Sequence, residues 1–177
     1  RHFGFGVSEN GGNARLFCDF MRLSFQGEML WNYVSCPVGV GEIEEGGDFY
    51  HVAVTYDQDE IKFYIDGQEV HSTELTTDTN GNEPGNASVS SSSSDIEGQY
   101  MFSGAPTHIG NIVNANQLPD GGWNGLIDEV SIWNYPLSEE KINFHKECPP
   151  TAFENGLVAY YNFNIGGGYT TPDLSGN

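Results

Sequence analysis

Carboxylates are the groups in this sequence most able to do chemistry, with 25 Asp and Glu residues against 6 Lys and Arg. Retaining glycoside hydrolysis needs two carboxyl groups about 5–5.5 Å apart. Asp128 and Glu129 are neighbours in sequence, so on an extended strand they leave opposite faces and cannot make such a pair. Glu42 and Glu44 would share a side if extended, but Gly41, Gly46 and Gly47 make the segment a loop, and no third acid follows in register. The histidines at 2, 51, 71, 108 and 145 are scattered, without the H-E-x-x-H or Cys-rich spacing of a zinc site. No G-x-S-x-G elbow is present for serine catalysis. The sequence therefore predicts a protein that is not an enzyme.

What the residues can do is bind. Oxygen donors suited to a hard cation gather before Trp123, at Asn116 and Asp120, with Asp128 close behind in sequence. These make Ca2+ the one metal to expect, although the spacing matches no defined calcium loop and solvated turns are the alternative for the same acids. Sugar binding uses exposed aromatics beside polar groups. Trp123, between Gly121, Gly122 and Asn124, and Tyr100 are the candidates. Asn86-Ala87-Ser88 is an N-glycosylation sequon, with Asn86 as acceptor. Of the three cysteines, Cys18 and Cys36 lie in consecutive strand-like segments and are the expected disulfide; free buried thiols are the alternative, and the odd count leaves Cys148 over.

Net charge narrows the partners. At −19 the surface repels phosphate backbones and anionic lipid, so nucleic acid is not expected. No run reaches the roughly 18 apolar residues of a membrane span, so membrane insertion is not expected either. The chain enters the strand-like Phe3-Gly4-Phe5-Gly6-Val7 directly from Arg1 and reads as a piece of a longer protein.

The elements that must position these residues are strands. Alternating or short apolar runs bounded by Gly, Asn, Asp and Pro predict strands near 3–7, 14–20, 28–35, 49–57, 60–66, 68–73, 106–111, 124–134 and 157–163. Val52, Val54 and Tyr56 should face the same way as Ile61, Phe63 and Ile65 across a hairpin, and Asp66-Gly67 suits a tight primed turn into the next strand. In 124–134, Leu126, Asp128, Val130 and Ile132 should share one face and Ile127, Glu129, Ser131 and Trp133 the other, as in a central strand with apolar groups on both sides. Residues 76–99, with serines at 90–94, read as a long surface loop. A single helix is expected from Ser138, a good cap, to about Lys146, closed by Pro149-Pro150. The fold class is all-β, an antiparallel β-sandwich with one short helix near the C-terminus.

Four stretches then carry a family resemblance, in order: Tyr50-His51-Val52-Ala53-Val54-Thr55-Tyr56-Asp57, Phe63-Tyr64-Ile65-Asp66-Gly67, His108-Ile109-Gly110-Asn111, and the run from Asn124 to Ile142 containing Ile127-Asp128-Glu129-Val130. The chain resembles laminin-G-like domains of the concanavalin A-like superfamily, the pentraxin-related jelly rolls. The resemblance covers residues 49–146 well and the first 48 loosely. It implies a sandwich domain over 1–148 and a segment 149–177 that is a linker plus either the opening strand of a following repeat or the closing strand of this one. Glycosidases of the same superfamily carry E-x-D-x-E on one strand, a pattern this sequence lacks. The resemblance implies an extracellular or cell-surface binding and assembly module of a larger protein, with glycans, extracellular proteins or neighbouring repeats of the same chain as partners and calcium as cofactor. A structural spacer repeat is the competing expectation, ahead of a glycosidase or its accessory carbohydrate domain.

Overall fold

The computed structural model describes residues 3–9, 14–23, 29–44, 46–57, 60–74, 108–113, 119–165 and 167–177. They divide into a first unit, Arg1–Ser92 with Tyr135–Cys148, and a second, Ser93–Asn134 with Pro149–Asn177.

In the first unit, β1 (Phe3–Glu9), β2 (Ala14–Leu23) and β3 (Met29–Ser35) form an antiparallel meander, and the short β4 (Glu42–Ile43) pairs with Ala14 and Arg15 of β2. A second meander runs through β5 (Val52–Tyr56), β6 (Glu60–Ile65) and β7 (Gln68–Glu74). Strand alternation explains which side chains meet. Leu16, Cys18 and Phe20 of β2, with Val34 and Cys36, occupy one face of the first sheet, and they share a core with Ile61 and Phe63 of β6. Two antiparallel sheets enclosing one core make this a β-sandwich, as expected. The hairpin register sets Val52 opposite Ile65, Val54 opposite Phe63 and Tyr56 opposite Ile61, so the expected faces coincide. Each large apolar side chain withdrawn from water this way contributes about 1.5–3 kcal/mol.

The β6–β7 turn is the primed type that the sequence suggests, with Asp66 at φ 51° and Gly67 at φ 80°. Gly67 also lies against Asn143 of α1 (Glu139–Glu147), so closely that any Cβ there would meet the backbone of Asn143 at 3.0 Å. The helix begins as expected: the Ser138 hydroxyl accepts from the Lys141 amide at 3.3 Å, acids fill the first turn, and His145 and Lys146 fill the last. Its buried residues are Ile142 and His145.

The expected Cys18–Cys36 disulfide is not formed; all three cysteines are free thiols. Register supplies the reason. Cys18 pairs with Val34, and Cys36 donates its amide to Leu16, which makes the two cysteines diagonal neighbours on one face. Diagonal positions stand about 7–8 Å apart at Cα, beyond the usual reach of about 4.4–6.8 Å for a disulfide. Burial pushes the Cys18 thiol up to about 12 and that of Cys36 to about 11, the latter partly opposed by Arg15.

The second unit contains two strand pairs, β8 (Asn111–Val113) with β9 (Pro119–Gly122), and β10 (Val130–Trp133) with β11 (Leu157–Tyr161), both antiparallel. The strand expected over 124–134 is thus confined to its last third, because Glu129 at φ 53° breaks the extended backbone. The strand expected near 106–111 becomes β8, starting where that one was to end. The Asp173-Leu174-Ser175-Gly176-Asn177 segment docks onto β11. Asp173 accepts from the amides of Tyr160 and Ser175 at 3.0 and 2.8 Å, Leu174 donates to the Tyr160 carbonyl at 2.8 Å, and the Asn177 side-chain amide donates to the Leu157 carbonyl at 2.8 Å.

Candidate binding site

The β8–β9 pair leads into a turn that presents Trp123. Its backbone amide donates to the Gly110 carbonyl at 2.8 Å, which continues the pairing of Asn111 with Gly122 by one more bond. The indole then folds back over Gly125. A Cβ at that glycine would meet Nε1 at 2.8 Å and Cε2 at 3.2 Å, so only glycine leaves the ring room to lie there. The indole N–H donates to the Leu126 carbonyl at 3.2 Å. With its one polar hydrogen committed and 45% of the residue exposed, Trp123 offers a partner its aromatic face rather than a donor. Ile109, at 38%, and Leu126, at 76%, are exposed along the same stretch. A ring fixed in this way loses little rotamer freedom when a ligand stacks on it.

The nearby acids are engaged in structure. Asp128 accepts from the Glu129 amide at 2.9 Å, and the Glu129 carboxylate accepts from the hydroxyl of Tyr160, a buried residue of β11. Burial, followed by that hydrogen bond, raises the Tyr160 phenol well above its ordinary value. Asp173 is held below the usual carboxylate range by the amides of Ser175 and Tyr160. Glu129 is bonded to the Tyr160 phenol and Asp128 lies close enough to help raise its pKa. The positive φ of Glu129 removes the extended geometry on which the opposite-face expectation rested.

The sequence candidates separate as follows. Trp123 is exposed and Asp128 is exposed nearby. Asp120 falls in β9, while Asn116, Tyr100 and Asn86 lie outside the described residues. Among the described residues no three His, Cys, Asp or Glu side chains gather as a metal site; Asn116 and the side chain of Asp120, two of the three expected calcium ligands, lie outside what is described. The sequence reading missed Phe153, which it assigned to a linker; the structure exposes 81% of it. An aromatic between Pro150 and Gly156 was the available signal. The sequence reading also missed the bond from Tyr160 to Glu129, because partners 31 positions apart leave no local pattern.

Among the described residues no helix is long and apolar enough to cross a membrane. A family model, Laminin_G_3, described as the Concanavalin A-like lectin/glucanases superfamily, matches residues 2–105. The match takes in the first 48 residues, where the resemblance looked loose, and ends before two of the four stretches that suggested it. No curated protein and no solved structure matches the chain.

Proposed function

Since the chain belongs to the Laminin_G_3 family of the concanavalin A-like lectin/glucanases superfamily, we propose that it is a non-catalytic binding module of a larger extracellular or cell-surface protein, with neutral glycans as its ligands. The observation that carries this reading is the Trp123 indole, laid on Gly125 and held by its N–H, with its aromatic face open beside Ile109 and Leu126. Sugar rings have an apolar C–H face that stacks on such a surface. The net charge of −19 supports neutral rather than anionic sugars, since like charge would raise the cost of approach. The non-catalytic part is supported by the sequence, which lacks the E-x-D-x-E strand pattern of the superfamily's glycosidases.

A glycan array probed with the intact chain, in calcium and again in chelator, tests the reading. We expect binding to neutral oligosaccharides that drops about tenfold in Trp123→Ala, the equivalent of about 1.4 kcal/mol. A blank array in both conditions would remove the glycan reading and favour a structural spacer. Binding seen only with calcium would instead bring Asp120, Asn116 and Asp128 back as ligands.

A further inference from the structure

We propose that the second unit holds a separate sugar subsite, the cleft of about 480 Å3 lined by Asn134, Phe153, Glu154, Asn155, Leu157 and Asn177, with the Phe153 ring as its stacking platform. The inference deepens the binding-module reading and rests on it, because it takes the same ligand class.

The first observation is a strained backbone at a largely exposed aromatic. Phe153 has φ 65°, a left-handed conformation that costs a bulky residue about 1–2 kcal/mol. Strain of this kind usually persists where the side chain must be placed for packing or for function. Packing is not the reason here, since 81% of the residue stays exposed. The conformation is held all the same: the Phe153 amide donates to the Ser175 carbonyl at 2.8 Å. The ring lies flat against Gly176, where a Cβ would come within 2.6–2.8 Å of three ring carbons. One face is therefore supported and the other is open.

The second observation is the chemistry around the ring. Leu157 and the exposed Val158 supply apolar wall, while Asn134 and Asn155 supply side-chain amides that can donate to and accept from sugar hydroxyls and Asn177 supplies an Oδ1 that can accept. Two of these groups are positioned by the backbone. The Asn134 backbone N–H donates to the Gly156 carbonyl at 2.9 Å, which fixes the residue that carries that side chain. The Asn177 Nδ2 donates to the carbonyls of Leu157 and Val158 and to the Ser175 hydroxyl oxygen, bonds in which its Oδ1 takes no part. The depression is open to solvent over most of its extent, so a sugar would rest on it rather than be enclosed. An aromatic floor with amide walls matches a pyranose, which is apolar on one face and hydroxylated at its edge. The Glu154 carboxylate in the lining and the charge of the whole chain select against anionic sugars. The same Glu154 accepts from the Thr151 amide at 2.8 Å, which orders the turn that carries Phe153.

The test is a 1H–15N titration of the intact chain with maltotriose, cellotriose, laminaritriose and chitotriose at millimolar concentration. We expect at least one trisaccharide to shift the side-chain amides of Asn134, Asn155 and Asn177 and the backbone amides of 153–158. Those shifts should weaken about tenfold in Phe153→Leu, which keeps apolar bulk but removes the ring, and should survive in Trp123→Ala. Asn155→Ala provides a second reading should the Phe153 variant lose spectral dispersion, and it should weaken the same shifts. Shifts confined to residues around Trp123 would overturn the subsite and leave the binding-module reading standing. No shifts from any trisaccharide, together with a blank array, would overturn both.

Discussion

Both units expose large apolar side chains, Val38, Phe49 and Phe144 in the first among them, but they differ in the core they bury and in backbone strain. In the first, Leu16, Phe20, Val34, Ile61 and Phe63 are buried in a two-sheet core, and among the described residues the positive φ angles away from glycine amount to one, Asp66, in a hairpin turn that needs it. In the second, Trp123, Leu126, Phe153, Ile165 and Tyr169 are exposed, and Glu129, Phe153 and Phe163 all sit at positive φ. The first unit has the larger described core and the second the more strained backbone. The comparison teaches that exposed aromatics in the second unit should be judged by their support, such as Gly125 beneath Trp123 and Gly176 beneath Phe153, rather than by exposure alone.

The comparison breaks most readily at the two phenylalanines. Phe63→Ala should lower the stability of the first unit by about 3–5 kcal/mol in chemical denaturation, because it empties a site with no exposure. Phe153→Gly should be neutral or stabilising by about 1 kcal/mol, since glycine accepts the left-handed backbone without penalty. A large loss in the second variant would mean that Phe153 is packed for stability and would collapse the contrast. Gly67→Ala should come next, at about 2 kcal/mol, from its positive φ and the close approach of Asn143. Tyr160→Phe should cost the second unit about 1 kcal/mol by removing the bond to Glu129.

Acid should separate the units more gently. Burial lowers the pKa of His51, an effect augmented by Lys146 and His145 and opposed by Asp66, and burial likewise lowers that of His71, opposed by Glu69. Unfolding lets both histidines take protons more readily, so the first unit should begin to lose stability as pH falls below about 6.5. Asp173 in the second unit is shifted downward, so its contribution should hold until pH falls below about 4 and then fade through its lower folded value. Amide hydrogen exchange followed across pH 7 to 3 should show protection fading first in β5–β7. Simultaneous loss in both units would show that these groups do not govern the acid response.

The legible parts of the sequence were those in which local chemistry dictates geometry. Alternation in Val52–Tyr56 and Glu60–Ile65 gave the hairpin faces, Asp66-Gly67 the turn, and Ser138 the helix start. Alternation could not reveal Glu129, because a single positive φ leaves the pattern of residue types unchanged while ending the strand. β9 was missed because Pro, Asp and Gly are all poor strand formers, and its pairing with β8 overrides that preference. The cysteine pairing failed on register: consecutive strand-like segments suggested a bridge between Cys18 and Cys36, and only the pairing itself shows that they are diagonal. For the site, Trp123 was visible from its glycine-rich surroundings. Phe153 was not, since the glycine beneath it lies 23 positions away.

The three thiols also make the chain a convenient substrate for labelling. Cys18 and Cys36 are buried, with thiols raised to about 12 and 11, so they carry almost no thiolate at neutral pH. Cys148 stands exposed just past the end of α1. A maleimide dye or spin label added to the folded protein should therefore attach at one place without any cysteine being mutated. That single reporter is not among the residues named for either proposed sugar site, so attaching it leaves their side chains unmodified.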